Sequence, residues 1–196
     1  MDVVRIADEV LSLYIRYGQN DYIGEPVSQI EHMCQCAQLA EDAGYDDDVI
    51  LAAFFHDIGH LLESEMDTTQ MDGYGVVDHE KLGAGYLVEK GFSKKIGKLV
   101  ASHVIAKRYL TFKYEEYYFR LSDASKKTLS FQGGPMSEQE AKLFETDPLH
   151  KLYIQLRLWD EQAKLEDVPL PSMEHYREKM MVHLTAQHNK IKNLQA

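Results

Sequence analysis

Phe54-Phe55-His56-Asp57-Ile58-Gly59-His60 sets a histidine and an aspartate side by side at the end of an apolar run that begins at Leu51. Neighbouring residues do not share a helix face, so both side chains reach one point only at a helix end or kink. Gly59 is expected to supply the permissive backbone there. Imidazole nitrogen and carboxylate oxygen together suit a first-row metal such as iron, manganese or zinc. The dipeptide alone is equally compatible with a buried histidine beside a helix-terminal aspartate. The remaining candidates for the same site are His32, His79, His103 and Asp160.

Upstream, Ser28-Gln29-Ile30-Glu31 matches a capping box, so a helix starts there, carries His32 in its first turns and runs to about Gly44. Asp46-Asp47-Asp48 opens the next helix, where acidic groups complement the helix dipole and need no metal role. His60 follows His56 by four and shares its side if the helix continues, as a supporting donor or a substrate contact. Downstream, residues 64–78 are polar with Gly73 and Gly75 and read as a loop. His79 opens a helix ending near Gly91, and Ser93 caps one that carries His103, Lys107 and Arg108. Lys107 lies one turn beyond His103, placed either for an anionic substrate or for solvent.

The flanks follow the same period. Val3, Ile6, Val10, Leu13, Tyr14 and Tyr17 predict a helix over 2–17 that stops at Gly18. The loop 19–27 holds Tyr22 and Glu25, which are either a lid over the site or a packed tyrosine and a solvated glutamate. Further helices are expected over Lys113–Leu121, from Ser122, from the capping box Ser137-Glu138-Gln139-Glu140, over Leu149–Lys164 and over 173–190, with a break at Gly133-Gly134-Pro135. His150, His175, His183 and His188 read as packing or surface histidines. With no segment of strand period, the chain is expected to be all-α, one domain over 1–196 with peripheral helices at both ends.

Composition bounds the function. The 196 residues are 44% hydrophobic and 27% charged, which is an ordinary globular balance, and the net charge of −11 argues against nucleic-acid binding. A local cationic pocket for a small anion is compatible with that surface. Cys34 and Cys36 would face apart on a helix, so reduced thiols and a cytoplasmic setting are expected. No secretory signal and no membrane span is visible. A monomer or small homo-oligomer is expected.

Six candidate ligands exceed what one metal usually takes beside a substrate. Two metals bridged by Asp57 fit better, with His32, His56 and Asp160 on one and His79 and His103 on the other. Such a pair can activate water or dioxygen. A thiolate-free donor set suits iron.

The order His32…His56-Asp57…His79…His103…Asp160 resembles the HD-domain superfamily in its dinuclear form. Three longer blocks, Asp21 to His32, Ser125 to Met136 and Leu156-Arg157-Leu158-Trp159-Asp160, are similar to the mixed-valent diiron oxygenases of the PhnZ type within it. That resemblance implies an HD-domain helical bundle around two irons, Fe(II)/Fe(III), with dioxygen as co-substrate. It implies cleavage of the C–P bond of a 2-amino-1-hydroxyethylphosphonate-type substrate, giving glycine or an N-methylated analogue and inorganic phosphate. Lys107, Ser125, Gln132 and His60 would meet the phosphonate, Glu25 the ammonium, and Tyr22 would cover the metal until substrate arrives. Other readings are a metal-dependent phosphohydrolase of a nucleotide or small phosphate ester, and a ligand-sensing protein with structural metals.

Overall fold

The computed structural model describes residues 2–22 and 24–195, the side chains of 194 and 195 aside; Ile23 of the expected lid, Met1 and Ala196 lie outside the described residues. The helices are α1 (Val3–Tyr17), α2 (Gln29–Asp42), α3 (Asp47–Phe55), α4 (Ile58–Leu61), α5 (His79–Glu89), α6 (Lys94–Val100), α7 (His103–Lys113), α8 (Glu115–Arg120), α9 (Asp123–Phe131), α10 (Glu138–Thr146), α11 (His150–Gln162) and α12 (Met173–Gln195). Among the described residues there is no strand, only the isolated bridges Asp21–Ser28 and Gln70–Val76. The chain is all-α, as its periodicity implies.

The helix α3 is the axis of the core. Every residue from Val49 to Phe55 is buried, and α2, α6, α11 and α12 pack around it. A helix apolar on all sides is stable only when surrounded in this way. On one flank Tyr14 of α1 stacks on Phe54 at 4.3 Å and Tyr176 of α12 stacks on Phe54 at 4.0 Å. The Tyr14 hydroxyl donates to the Phe54 carbonyl at 2.8 Å, which satisfies a phenol that burial would otherwise orphan. Aromatic pairs of this kind contribute about 0.5–1.5 kcal/mol each beyond their buried area. On the other flank α5 lies on α4 and α6, and α7 lies along α11.

Side-chain caps set the helix starts. Ser28 and Ser137 form full capping boxes with Glu31 and Glu140, and Asp46, Ser93 and Ser122 each accept from the third backbone N–H onward. Asp46, Asp47 and Asp48 pair with Lys95, Lys179 and His183 respectively, which ties the start of α3 to α6 and α12. Cys34 and Cys36 are free and buried.

Three expectations are corrected. The helix begun by Ser93 does not run through His103: α6 ends at Val100, and α7 starts afresh at His103. The Ser102 hydroxyl donates to Leu99 O at 2.6 Å, and His103 Nδ1 reaches Val100 O at 2.9 Å, so side chains take the carbonyls that a continuous helix would use. The helix expected over Lys113–Leu121 is interrupted at Tyr114, whose extended backbone (φ −133°, ψ 109°) separates α7 from α8. Gly59 serves close approach rather than conformational freedom: a Cβ there would sit 2.0 Å from the His79 carbonyl oxygen. It lets α4 and the start of α5 touch backbone to backbone. Among the described residues no helix is long and apolar enough to cross a membrane.

Candidate metal centre and its anion pocket

The break in the chain at the His-Asp pair builds the centre. The helix α3 stops at Phe55, and Asp57 adopts φ −106° and ψ 12°, in the sparsely populated bridge between helix and strand conformations. This turn aims His56 and Asp57 at one point. His56, His79 and His103 share one local device, in which Nδ1 faces the carbonyl three residues back: Ala53 at 2.8 Å, Val76 at 3.1 Å and Val100 at 2.9 Å. His32 instead reaches the Ala163 carbonyl at the end of α11, at 2.8 Å. A carbonyl can only accept, so each Nδ1 carries the proton and each Nε2 presents a lone pair.

Those four Nε2 atoms converge in two pairs, His32–His56 at 3.0 Å and His79–His103 at 2.9 Å. Asp57 sits between them. Its Oδ2 lies 3.5 Å from both His32 and His56 Nε2, and its Oδ1 lies 3.4 and 3.3 Å from His79 and His103 Nε2. Asp160 Oδ1 approaches His32 Nε2 at 3.4 Å and has no hydrogen-bond partner although buried. Facing lone pairs repel unless positive charge lies among them, and buried carboxylates demand the same. The surrounding histidines hold Asp57 well below the usual carboxylate range against the cost of burial, and Arg157 with His32 does the same for Asp160. Against the cost of burial Asp160 and Asp57 raise His32 to about 9, so with no other positive charge between the pairs its Nε2 takes up a proton, which a metal cation there would replace; its neighbour His56 is pushed down to about 4, chiefly by burial. The donor set therefore fits two cations sharing Asp57: His32, His56 and Asp160 around one, His79 and His103 around the other. All six candidate ligands are at most 4% exposed.

Beside this centre lies a cavity of about 220 Å³, small and polar, sized for a ligand of few heavy atoms. His60 lines it. The helix does not continue from His56 to His60 on one face; the His60 ring stacks on His79 at 4.0 Å, and its Nδ1 accepts from Val76 N–H at 3.2 Å. Asp57, His60 and His79 do bring donor atoms within 4.8 Å of one another. However, the Val76 bond places the His60 proton on Nε2, which makes that nitrogen a donor to an anion rather than a lone pair for a metal. Burial keeps this ring neutral.

Lys107 is buried, not solvated, and its Nζ donates to Thr128 Oγ1 at 2.9 Å. Burial, and then the Arg157 guanidinium, lower it to about 7. Ser125 and Gln132 line the same cavity, and Gln132 Oε1 is buried without a partner. Glu25 lines it too, its carboxylate taken up by Ser122 Oγ and Lys164 Nζ, both at 2.6 Å. Tyr22 stacks on His32 with centroids 4.0 Å apart, and burial drives its phenol well above the ordinary range.

Sequence reasoning passed over Arg157, Thr128 and Lys164. Arg157 is buried and donates to Asp160 Oδ2 at 2.6 Å, Ser125 Oγ at 3.1 Å, Tyr117 Oη at 3.1 Å and Glu161 Oε1 at 2.8 Å. An arginine three residues before an aspartate on a predicted helix was the available signal.

Comparison with known proteins identifies the family. The HD domain family matches residues 30–150. The chain is 43% identical over 189 residues to an uncharacterized protein of Acanthamoeba polyphaga mimivirus, covering 96% of this chain and 86% of that protein. It is 40% identical over 171 residues to the [1-hydroxy-2-(trimethylamino)ethyl]phosphonate dioxygenase (glycine-betaine-forming) of Leisingera caerulea, covering 87% of this chain and 86% of that enzyme. It is 37% identical over 160 residues to the hydroxymethylphosphonate dioxygenase of Gimesia maris, covering 82% and 79%. The family match ends before Asp160 and begins after Tyr22 and Glu25, whereas the two dioxygenases match across most of the chain.

Proposed function

The chain belongs to the HD domain family, and from that premise, with its two phosphonate dioxygenase relatives, we propose that it is a diiron oxygenase that cleaves the C–P bond of a 2-amino-1-hydroxyethylphosphonate-type substrate. The products are glycine and inorganic phosphate. The observation that carries this reading is the meeting of two imidazole pairs across the two oxygens of Asp57, beside a cavity lined by Lys107 and His60.

The stoichiometry closes without an added reductant. One dioxygen takes four electrons, two from the C1–H bond and two from the C–P bond. Its atoms end in the carboxylate and the phosphate, and one proton is released. When bound, the irons, mixed-valent as the family resemblance implies, supply the redox chemistry that dioxygen needs to react with a C–H bond.

The chain's own residues bind and orient. Lys107 and the Nε2–H of His60 donate to the phosphonate, with Ser125 and the amide of Gln132 beside them. Charge-assisted bonds of this kind are the strong ones. Arg157 holds Asp160 by Oδ2 and so leaves Oδ1 for a metal. Glu25 receives the substrate ammonium. Tyr22 covers the His32 side and keeps water from it.

The test is turnover of 2-amino-1-hydroxyethylphosphonate by the iron-loaded protein under isotopically labelled dioxygen. Label in both the glycine carboxylate and the phosphate, with no reaction under nitrogen, is the expected result. Phosphate release that proceeds without oxygen, or equally well with zinc, overturns the oxygenase reading and returns the protein to the metal-dependent hydrolases.

A further inference from the structure

One wall of the cavity, where Glu25 and Tyr22 meet the segment after α11, already contains a cation. Lys164 follows that helix, and its Nζ bonds Glu25 Oε1 at 2.6 Å. The same Nζ lies over the Tyr22 ring, 5.8 Å from its centroid. The Ser122 hydroxyl donates to the same oxygen, Oε1, at 2.6 Å; among the described residues Glu25 Oε2 accepts no hydrogen bond. The pair is largely shielded from water, with side chains 17% and 10% exposed, so solvent screens its attraction less than at an open surface.

A quaternary ammonium is recognised by uncompensated negative charge and by the face of an aromatic ring, since it has no N–H to donate. Lys164 occupies both of those features. A primary ammonium or a hydroxyl needs only one acceptor oxygen, and Glu25 Oε2 supplies it. Resting on the oxygenase reading above, we propose that Lys164 sets the substrate specificity of this chain: it selects 1-hydroxyphosphonates ending in a primary ammonium or a neutral group and rejects those ending in a trimethylammonium. The Leisingera caerulea relative is named for a trimethylamino compound; with Glu25 meeting the amino end of the substrate, as proposed above, Lys164 takes up that place in this chain.

The experiment is equilibrium binding to the metal-loaded protein under nitrogen, so that no turnover intervenes. The probes are hydroxymethylphosphonate, 2-amino-1-hydroxyethylphosphonate and 1-hydroxy-2-(trimethylammonio)ethylphosphonate. In the wild type the trimethylammonium compound is expected to bind at least about tenfold more weakly than the primary amine. Lys164→Met removes the resident charge at similar length and is expected to move that ratio toward the trimethylammonium compound by about tenfold or more, while Lys164→Arg keeps the wild-type order. A ratio unchanged in Lys164→Met, or a wild type that favours the trimethylammonium compound, overturns the specificity role and leaves the oxygenase reading standing. A wild type that binds none of the three phosphonates overturns the oxygenase reading and the specificity role with it. A folded Lys164→Met protein is recognised by its wild-type thermal midpoint. If that variant does not fold, Lys164→Gln replaces it, with the same ratio as the readout.

Discussion

His79 and His103 hold their rings against carbonyls three residues back in their own chain, Val76 and Val100. On the other side of Asp57, His32 depends on Ala163, 131 residues away, and Asp160 depends on Arg157 and through it on Ser125 and Tyr117. The first half of the centre is oriented as soon as α5 and α7 begin. In the second, His56 is oriented locally through Ala53, but His32 and Asp160 join it only once α11 has docked against α2. Preorganisation that comes from local geometry survives small shifts between helices, whereas preorganisation by distant partners does not. The His79–His103 half is therefore the sturdier one, and the His32–His56–Asp160 half is the one that packing mutations reach first.

Asp57→Ala attacks the comparison at its hinge and has the largest expected effect. With neither Oδ1 nor Oδ2 present, both metals are lost and activity with them. Metal analysis of the purified variant checks this, and one metal retained per chain would mean that the halves stand independently. Arg157→Met comes next. It leaves Asp160 buried without its counter-ion, at a stability cost of about 3–5 kcal/mol. Loss of an orienting partner also weakens metal binding roughly 10–100-fold. The loss is expected at the His32–His56–Asp160 half alone, so competitive metal titration should resolve one weakened site and one unaltered. Two sites weakened equally would break the proposed asymmetry.

Lys107→Met is expected to weaken phosphonate binding by roughly ten- to a hundredfold, the value of a charge-assisted contact of about 1.5–3 kcal/mol. The sign of its pH dependence follows from burial, which lowers Lys107 to about 7. Below that pH the free protein already carries the ammonium. Above it, binding an anion must draw in a proton, so affinity falls as pH rises, by up to about tenfold per pH unit. Subtracting the pH profile of Lys107→Met from that of the wild type isolates this dependence from the ligand's own titration, and identical profiles would place the substrate away from Lys107. The smallest effect is expected for Tyr22→Phe, which keeps the ring on His32 and removes only the hydroxyl. The resting absorption of the iron-loaded protein should change while its metal stoichiometry does not. An unchanged spectrum would remove Tyr22 from the metal and leave it as packing alone.

Much of the site was legible because few residue types hold metals. His32, His56, Asp57, His79, His103 and Asp160 were candidates through their ligand chemistry and through an order that resembles the HD superfamily, and the placement of His32 and Asp57 follows from the Ser28 cap and from the turn at Asp57. Arg157, Thr128 and Lys164 were not legible in the same way. A lysine after a helix is usually solvated, and the partner of Lys164, Glu25, lies 139 residues away. The break between α6 and α7 was hidden for a related reason: Ala101 and Ser102 are compatible with a helix, and only the claim of Leu99 and Val100 carbonyls by Ser102 and His103 side chains ends it.

By itself, the sequence determined the helical class and the starts of the capped helices, since period and capping are properties of short segments, and it offered His32, His56, Asp57, His79, His103 and Asp160 as candidate donors. The tertiary structure decided what those donors do together. It gave His32 the Ala163 carbonyl, beside the local carbonyls that His56, His79 and His103 meet, and brought the four Nε2 atoms together in two pairs. It gave Asp57 one oxygen for each histidine pair, and it placed Lys107, Arg157 and Lys164 around a single cavity. The pairings of His32 with Ala163 and of Asp160 with the His32–His56 pair are set by how α11 packs on α2, a long-range fit of many weak contacts that no local pattern encodes.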